Sequence, residues 1–471
     1  MKNNLIRKFF SFSYGSWVGL FIGLITTIVT TRILTPEELG KASMFTLLIT
    51  VSMIISTFGT DQAFIRFYYE EDESNRGRLL YSSLKIPIII LLILSMIIIA
   101  CYKPITDYLF NESSILLSIF IIIGVIFQTL NRFGKLVLRM QQKGNMYSLI
   151  EITSKLLPLI FIIILSLSLA SDYKIMIYSL ILTLIISFML QAILGKNLWK
   201  VEHKRYTSTK YKPKDIIKYG SPFVFTVLIT WIFQSFDRIA IKQWNSFEEL
   251  GIYTAAYKIV GLVVALQSAF SSFWTPVSFE RFNKYPKDTD FFSEIMKIMT
   301  FFMSILAVLT ILSKDLFVFL LGGDYQSASL VIPFLIFMPI FYTISEITVV
   351  GINFLKKTLW HVPIAIVSCL TNIIGNWFLV PEHGAIGAAI ATAVSYLCFF
   401  ILRTYLSTKM YPVNYELKKF YIVITTVLSF ALFSLSKVSD VVLYIIGAFI
   451  IAIIVFIYYK DLKGFFNKIN R

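Results

Sequence analysis

The sequence predicts an all-α integral membrane protein of about fourteen transmembrane helices, two six-helix bundles in parallel repeat followed by two C-terminal helices. Three observations carry this. Hydrophobic residues make up 57% of the 471 and charged ones 15%, with a mean hydropathy of +0.76, whereas a soluble chain carries roughly 25% charged residues. The apolar residues gather in runs of about 20, the length that crosses a bilayer as a helix. A short motif recurs at matched positions in the two halves. No stretch remains for a sizeable soluble domain, which excludes a cytosolic enzyme, a secreted module and a soluble nucleic-acid binder.

In chain order the apolar stretches fall near residues 11–31, 43–65, 83–101, 114–131, 146–170 and 175–194. After a polar interval they resume near 219–241, 251–275, 292–313, 328–350, 361–380, 385–407, 418–436 and 439–459. The Gly and Pro within them are tolerated in membrane helices. The first stretch follows the basic segment Met1–Phe9 but lacks a small-residue cleavage site, so it reads as an uncleaved span.

With the N-terminus on the cytoplasmic side, eight of the 43 basic residues fall in outer loops: Arg32, Lys41, Lys103, Lys174, Arg238, Lys242, Lys314 and Lys437. Lys155 and Lys258 fall inside spans, and the other 33 lie in tails, inner loops and inner helix ends. This split obeys the positive-inside rule, supports an even number of spans and places both termini in the cytoplasm. The net charge of +16 thus reports membrane orientation, with no nucleic-acid partner expected.

The expected division is 1–194 for an N-terminal bundle, 195–218 for a cytoplasmic basic linker, 219–407 for a C-terminal bundle, and 408–471 for two extra helices and a tail. The linker carries Lys196, Lys200, Lys204, Arg205, Lys210, Lys212, Lys214 and Lys218, suited to lying on anionic headgroups or to docking a cytosolic partner. Glu37-Glu38-Leu39-Gly40 follows the first span, and Glu248-Glu249-Leu250-Gly251 follows the seventh. Each half also opens with Gly-Ser, at Gly15-Ser16 and Gly220-Ser221. Six helices per half is an even number, so the halves enter the bilayer in the same direction. Such parallel repeats place a substrate at the repeat interface.

No phosphate-binding loop, nucleophile elbow or zinc spacing is present. The outer connections are about a dozen residues at most, too short for the acid and base groups of a polymerase. No enzyme activity, metal or cofactor is expected. Cys101, Cys369 and Cys398 sit in or beside apolar runs, and His203, His361 and His383 lie far apart.

The informative residues are charges inside spans, which are expensive to bury and usually line a cavity. Lys258 lies about 10 Å into its span at 1.5 Å per residue. Glu151 and Lys155 are one helical turn apart, positioned either to pair with each other or to face a cavity. Asp61 and Arg66 lie in the inner part of span two. Arg66 and Arg139 can snorkel to headgroups or face inward. Asp237 and Arg238 close span seven as a helix-end anchor or as cavity residues, and Glu346 sits in span ten. In the functional reading, Lys258, Arg66, Lys155, Arg238 and Arg139 form a cationic cavity for an anionic group such as pyrophosphate. Asp237, Glu151, Asp61 and Glu346 then balance charge or bind a coupling H⁺ or Na⁺. Pro158, Pro222, Pro333 and Pro339 fit helices that bend.

Three segments resemble the polysaccharide transporter family, the repeat-unit lipid flippases of the multidrug/oligosaccharidyl-lipid/polysaccharide exporter superfamily. The first is Arg32-Ile33-Leu34-Thr35-Pro36-Glu37-Glu38-Leu39-Gly40. The second is Asp237-Arg238 with Leu250-Gly251-Ile252-Tyr253 and Ala256-Tyr257-Lys258. The third is Asn372-Ile373-Ile374-Gly375-Asn376 with the Gly/Ala run from Gly384 to Thr392. The resemblance implies two bundles around a V-shaped cavity and alternating access. The implied substrate is an undecaprenyl-diphosphate-linked oligosaccharide, moved to the outer leaflet for surface polysaccharide assembly alongside polysaccharide assembly proteins. Arg66 and Lys258 occupy helices that line the cavity in that family, and Lys155 does so by helix, not by motif. A lipid II-type peptidoglycan-precursor flippase and a cation-coupled multidrug exporter are the alternatives. Few deep arginines in the first helices separate this chain from the former, and a usual count of twelve spans separates the latter.

Overall fold

The computed structural model describes the backbone of residues 2–199, 209–436 and 439–469. Among these residues the structure is all-helical, and the chain divides into two compact units, Met1–Ile232 and Phe233–Arg471.

The first unit runs α1 (Lys2–Ile33), α2 (Pro36–Thr57), α3 (Thr60–Phe67), α4 (Arg76–Ala100), α5 (Tyr102–Phe110), α6 (Ile115–Met140), α7 (Gly144–Ser166), α8 (Lys174–Leu194) and the short α9 (Lys196–Trp199). Helix α10 (Pro213–Trp244) begins here and continues into the second unit. The start of α2 is written in the sequence: Thr35 accepts the Glu38 N–H, Pro36 stands in the first turn, and Glu37 and Glu38 face the positive end of the helix dipole. The α2 helix stops where Phe58 and Gly59 both turn left-handed, at φ +44° and +71°. Asp61 and Arg66, expected in the inner part of span two, therefore belong to a separate helix, α3. A glycine is required at 59 twice over. Its φ suits no other residue well, and an added Cβ would stand 2.0 Å from the carbonyl oxygen of Gly220 on α10.

The second unit comprises the rest of α10, α11 (Phe247–Lys284), α12 (Thr289–Leu312), α13 (Lys314–Leu320), α14 (Ala328–Leu335), α15 (Phe337–Thr348), α16 (Val350–Phe354), α17 (His361–Met410), α18 (Leu417–Phe433) and α19 (Asp440–Ile469). Ser246 starts α11 as Thr35 starts α2, accepting the Glu249 N–H. Pro333 lies within α14 and Pro339 at the start of α15, so predicted span ten is two helical pieces.

Twelve helices among the described residues are long and apolar enough to cross a membrane, against the expected fourteen or so. Two local features explain the difference. The 50-residue α17 counts once although it breaks at Gly384, where φ is +50° and ψ −128°. Its two limbs fold back on each other: a Cβ on Gly375 would touch the Ala391 side chain at 3.0 Å, and Thr371 lies 3.6 Å from the Cys398 sulfur. Helix α18 has only 17 residues, the short end of the spanning range of about 17–25. Of the linker, Lys200, Lys204 and Arg205 lie outside the described residues.

Candidate functional site

Asp237 sits on α10 among neighbours from the same unit and is only 3% exposed. Its Oδ1 accepts from the amides of Asn372 at 2.9 Å and Asn376 at 2.8 Å, on the first limb of α17. Its Oδ2 accepts from the Tyr253 hydroxyl at 2.7 Å, on α11, and from Thr392 at 2.8 Å, on the second limb. Among the described residues Asp237 makes no ion pair. Four neutral donors thus hold one carboxylate in an apolar interior, where an unmatched charge costs several kcal/mol. The nest also holds oxygens with spare capacity: Asn376 Oδ1 is buried with no hydrogen-bond partner. Carboxylate, amide and hydroxyl oxygens form the donor set that suits a hard cation.

Arg238, the next residue, turns elsewhere and lays its guanidinium over the Tyr257 ring at 4.8 Å. Lys258 is half-buried, the twelfth residue of α11 because that helix starts at Phe247, ahead of the predicted 251. Glu346, read as a coupling or balancing acid, pairs with Arg403 at 2.8 Å, and Arg403 also donates to Ser345 at 2.7 Å.

In the first unit Asp61 is salt-bridged to Arg132. Its Oδ2 accepts from Nη2 at 2.6 Å and Nε at 2.9 Å, and from the Gln62 amide at 3.0 Å. Glu151 does not pair with Lys155. It takes the Lys135 ammonium at 2.7 Å, because α6 brings that residue alongside α7. Lys155 is exposed, and its aliphatic stem packs beside Gly19 of α1. Arg66 is exposed and bound to Glu70, which also accepts the Tyr211 hydroxyl. That hydroxyl first, with Arg66 adding to it, holds the Glu70 carboxyl below its usual range and pushes the Tyr211 phenol up. Arg139 is exposed at the end of α6.

Three partners went unnoticed in the sequence, Arg132, Lys135 and Arg403, each on a different helix from its acid. Asn372 and Asn376 carried a readable signal: two amides one turn apart inside an apolar run share a face and need a polar partner.

No curated protein matches the chain by sequence. The solved structures it is similar to include "Lipid II flippase MurJ, inward closed conformation", at 20% identity and a TM-score of 0.71, covering 96% of this chain and 99% of that one. An inward-facing multidrug resistance MATE family transporter of the MOP superfamily follows at 15% identity and 0.62, covering 84% and 96%. An outward-facing one gives 15% and 0.54, covering 85% and 95%. At such identities the likeness shows the fold alone, that of multi-pass flippases and exporters. The family model described as polysaccharide biosynthesis protein matches residues 5–285, and with more than half of its length matched the chain belongs to that family.

Proposed function

We propose that the protein flips undecaprenyl-diphosphate-linked oligosaccharide repeat units across the bacterial cytoplasmic membrane by alternating access, for assembly of a surface polysaccharide. Membership of a polysaccharide biosynthesis family and the flippase fold support the class of activity. The observation that carries the mechanism is the Asp237 nest. A buried carboxylate on α10, held by neutral donors from α11 and both limbs of α17, can take up H⁺ or Na⁺ and so make the packing of those helices depend on the ion. Ion binding and glycan movement are then linked, each biasing the same conformational equilibrium. Lys258 and Arg66 remain the cations assigned to the diphosphate, with Arg238, Lys155 and Arg139 supplying further positive potential. Of the acids, Glu151, Asp61 and Glu346 each already balance a basic partner.

The test is a deletion strain. Undecaprenyl-diphosphate-linked repeat units should build up on the inner leaflet while surface polysaccharide disappears. Wild-type protein should reverse this, and Lys258→Ala or Asp237→Asn should not. Build-up of peptidoglycan precursor instead would move the assignment to a lipid II-type flippase. Unchanged polysaccharide with altered drug sensitivity would move it to a multidrug exporter.

A further inference from the structure

A second polar site lies wholly within the first unit. A cavity of about 230 Å³ is walled on one side by Asp61, Gln62 and Arg132 and on the other by Phe223, Val224 and Val227 of α10. It is smaller than the roughly 300–1,000 Å³ of pockets that enclose a drug-sized molecule, so it admits a single ring and not a whole repeat unit. Its polar wall is rigid. Asp61 is 8% exposed as a side chain and fixes Arg132, which is 42% exposed, through two N–H groups on one carboxylate oxygen. Gln62 donates to that same oxygen. Of the five guanidinium donors three stay free for another partner, and so do Asp61 Oδ1 and Gln62 Oε1, among the described residues. The backbone beneath is strained. Phe58 is a bulky residue held at φ +44°, next to the Gly59–Gly220 crossing, and such strain collects at ligand sites.

The chemistry of this wall selects its ligand. Arg132 and Asp61 neutralise each other, so the pair offers a dianionic diphosphate little net attraction. Donors and acceptors alternate on planar, pre-oriented groups, which matches the hydroxyls of a sugar, each of them both donor and acceptor. The opposite wall presents the Phe223 ring and valine methyls, suited to the C–H face of a pyranose. We infer that this cavity binds one sugar ring of the lipid-linked glycan, with Arg132 and Gln62 hydrogen-bonding its hydroxyls and Asp61 positioning Arg132. The inference rests on the flippase reading and adds to it a recognition site for the glycan, separate from the holding of the diphosphate.

The experiment measures binding to the purified full chain in lipid nanodiscs, with two probes. One is bare undecaprenyl diphosphate, and the other is the lipid-linked repeat unit extracted from cells depleted of this protein. Wild-type protein should bind the glycan-bearing lipid at least about tenfold more tightly, the scale of one hydrogen bond to a charged group. Arg132→Ala and Gln62→Ala should each erase most of that difference while leaving affinity for the bare lipid unchanged. Gln62→Ala guards against misfolding, since Gln62 is outside the ion pair. Equal wild-type affinities, a preference that survives both substitutions, or equal loss for both probes would overturn the sugar site and leave the flippase reading standing. Wild-type protein that binds neither lipid would overturn the flippase reading and the sugar site with it.

Discussion

Glu249 accepts the backbone N–H of Ala385 at 2.8 Å, across the second unit and immediately after the break in α17. In the first unit Glu38 does the same for Tyr173, at 2.6 Å, where α8 begins. Both acids are the third residue of a capped helix, a position from which a glutamate commonly reaches back to its own cap. Here each reaches over to start another helix instead. Glu249→Ala should cost about 1–3 kcal/mol, the scale for stranding a buried donor, and Glu249→Gln clearly less. Glu38→Ala should behave alike. Thermal unfolding in detergent reads all three.

Where α10 crosses the end of α2, backbone meets backbone with no side chain between. A Cβ on Gly220 would stand 2.5 Å from the Gly59 carbonyl oxygen. Gly220→Ala should therefore destabilise the protein by about 1–3 kcal/mol through overpacking. Gly59→Ala should cost more, because it adds left-handed strain of about 1–2 kcal/mol. Chemical denaturation of the purified variants against Gly261→Ala, where a Cβ meets nothing within 4 Å, separates crowding from general damage.

Arg403 is buried against Glu346, with aromatic rings of Tyr342 and Phe399 beside its guanidinium. Removing one partner strands the other charge, so Arg403→Ala should cost about 3–5 kcal/mol. The double replacement Arg403→Met with Glu346→Gln should recover most of the loss, and a double-mutant cycle on melting temperatures checks it.

Glu416 joins α12, α18 and α19 through Lys297 and Lys419, while Asp461 answers the same two lysines. Hydrogen bonds from Lys297 and then Lys419 hold the Glu416 carboxyl below its ordinary 4.5. A depressed acid contributes stability that is complete above that ordinary value and is lost as pH falls through the lower, folded one. Melting temperature should therefore decline below about pH 4.5, and Glu416→Gln should flatten that part of the curve.

The helical membrane fold and the matched Glu-Glu-Leu-Gly motifs could be read from residues, because hydropathy is local, whereas α2 and α11 start at Pro36 and Phe247, ahead of the apolar runs expected near 43 and 251. The break at Gly384 falls where the sequence places one, between the apolar runs ending near 380 and resuming near 385, with Glu382 and His383 exposed beside it, while α18, at 17 residues, is short for a crossing. The site was legible by halves. Asp237 stood out as a charge inside a span, and Asn372 and Asn376 carried the spacing of a shared face. Their meeting with Tyr253 and Thr392 depends on how four helical segments pack, and no local pattern records that. Lys155 looked like the partner of Glu151 by spacing, but Lys135 of the neighbouring helix lies nearer, and spacing along one helix is blind to its neighbours.

The reversal at Gly384 bears on how the protein is made. The two limbs of α17 are joined by a single left-handed residue, so the second limb finds its partner within a few residues of leaving the first. Contacts that close in sequence carry little loop-closure entropy. The pair should therefore enter the bilayer as one hairpin.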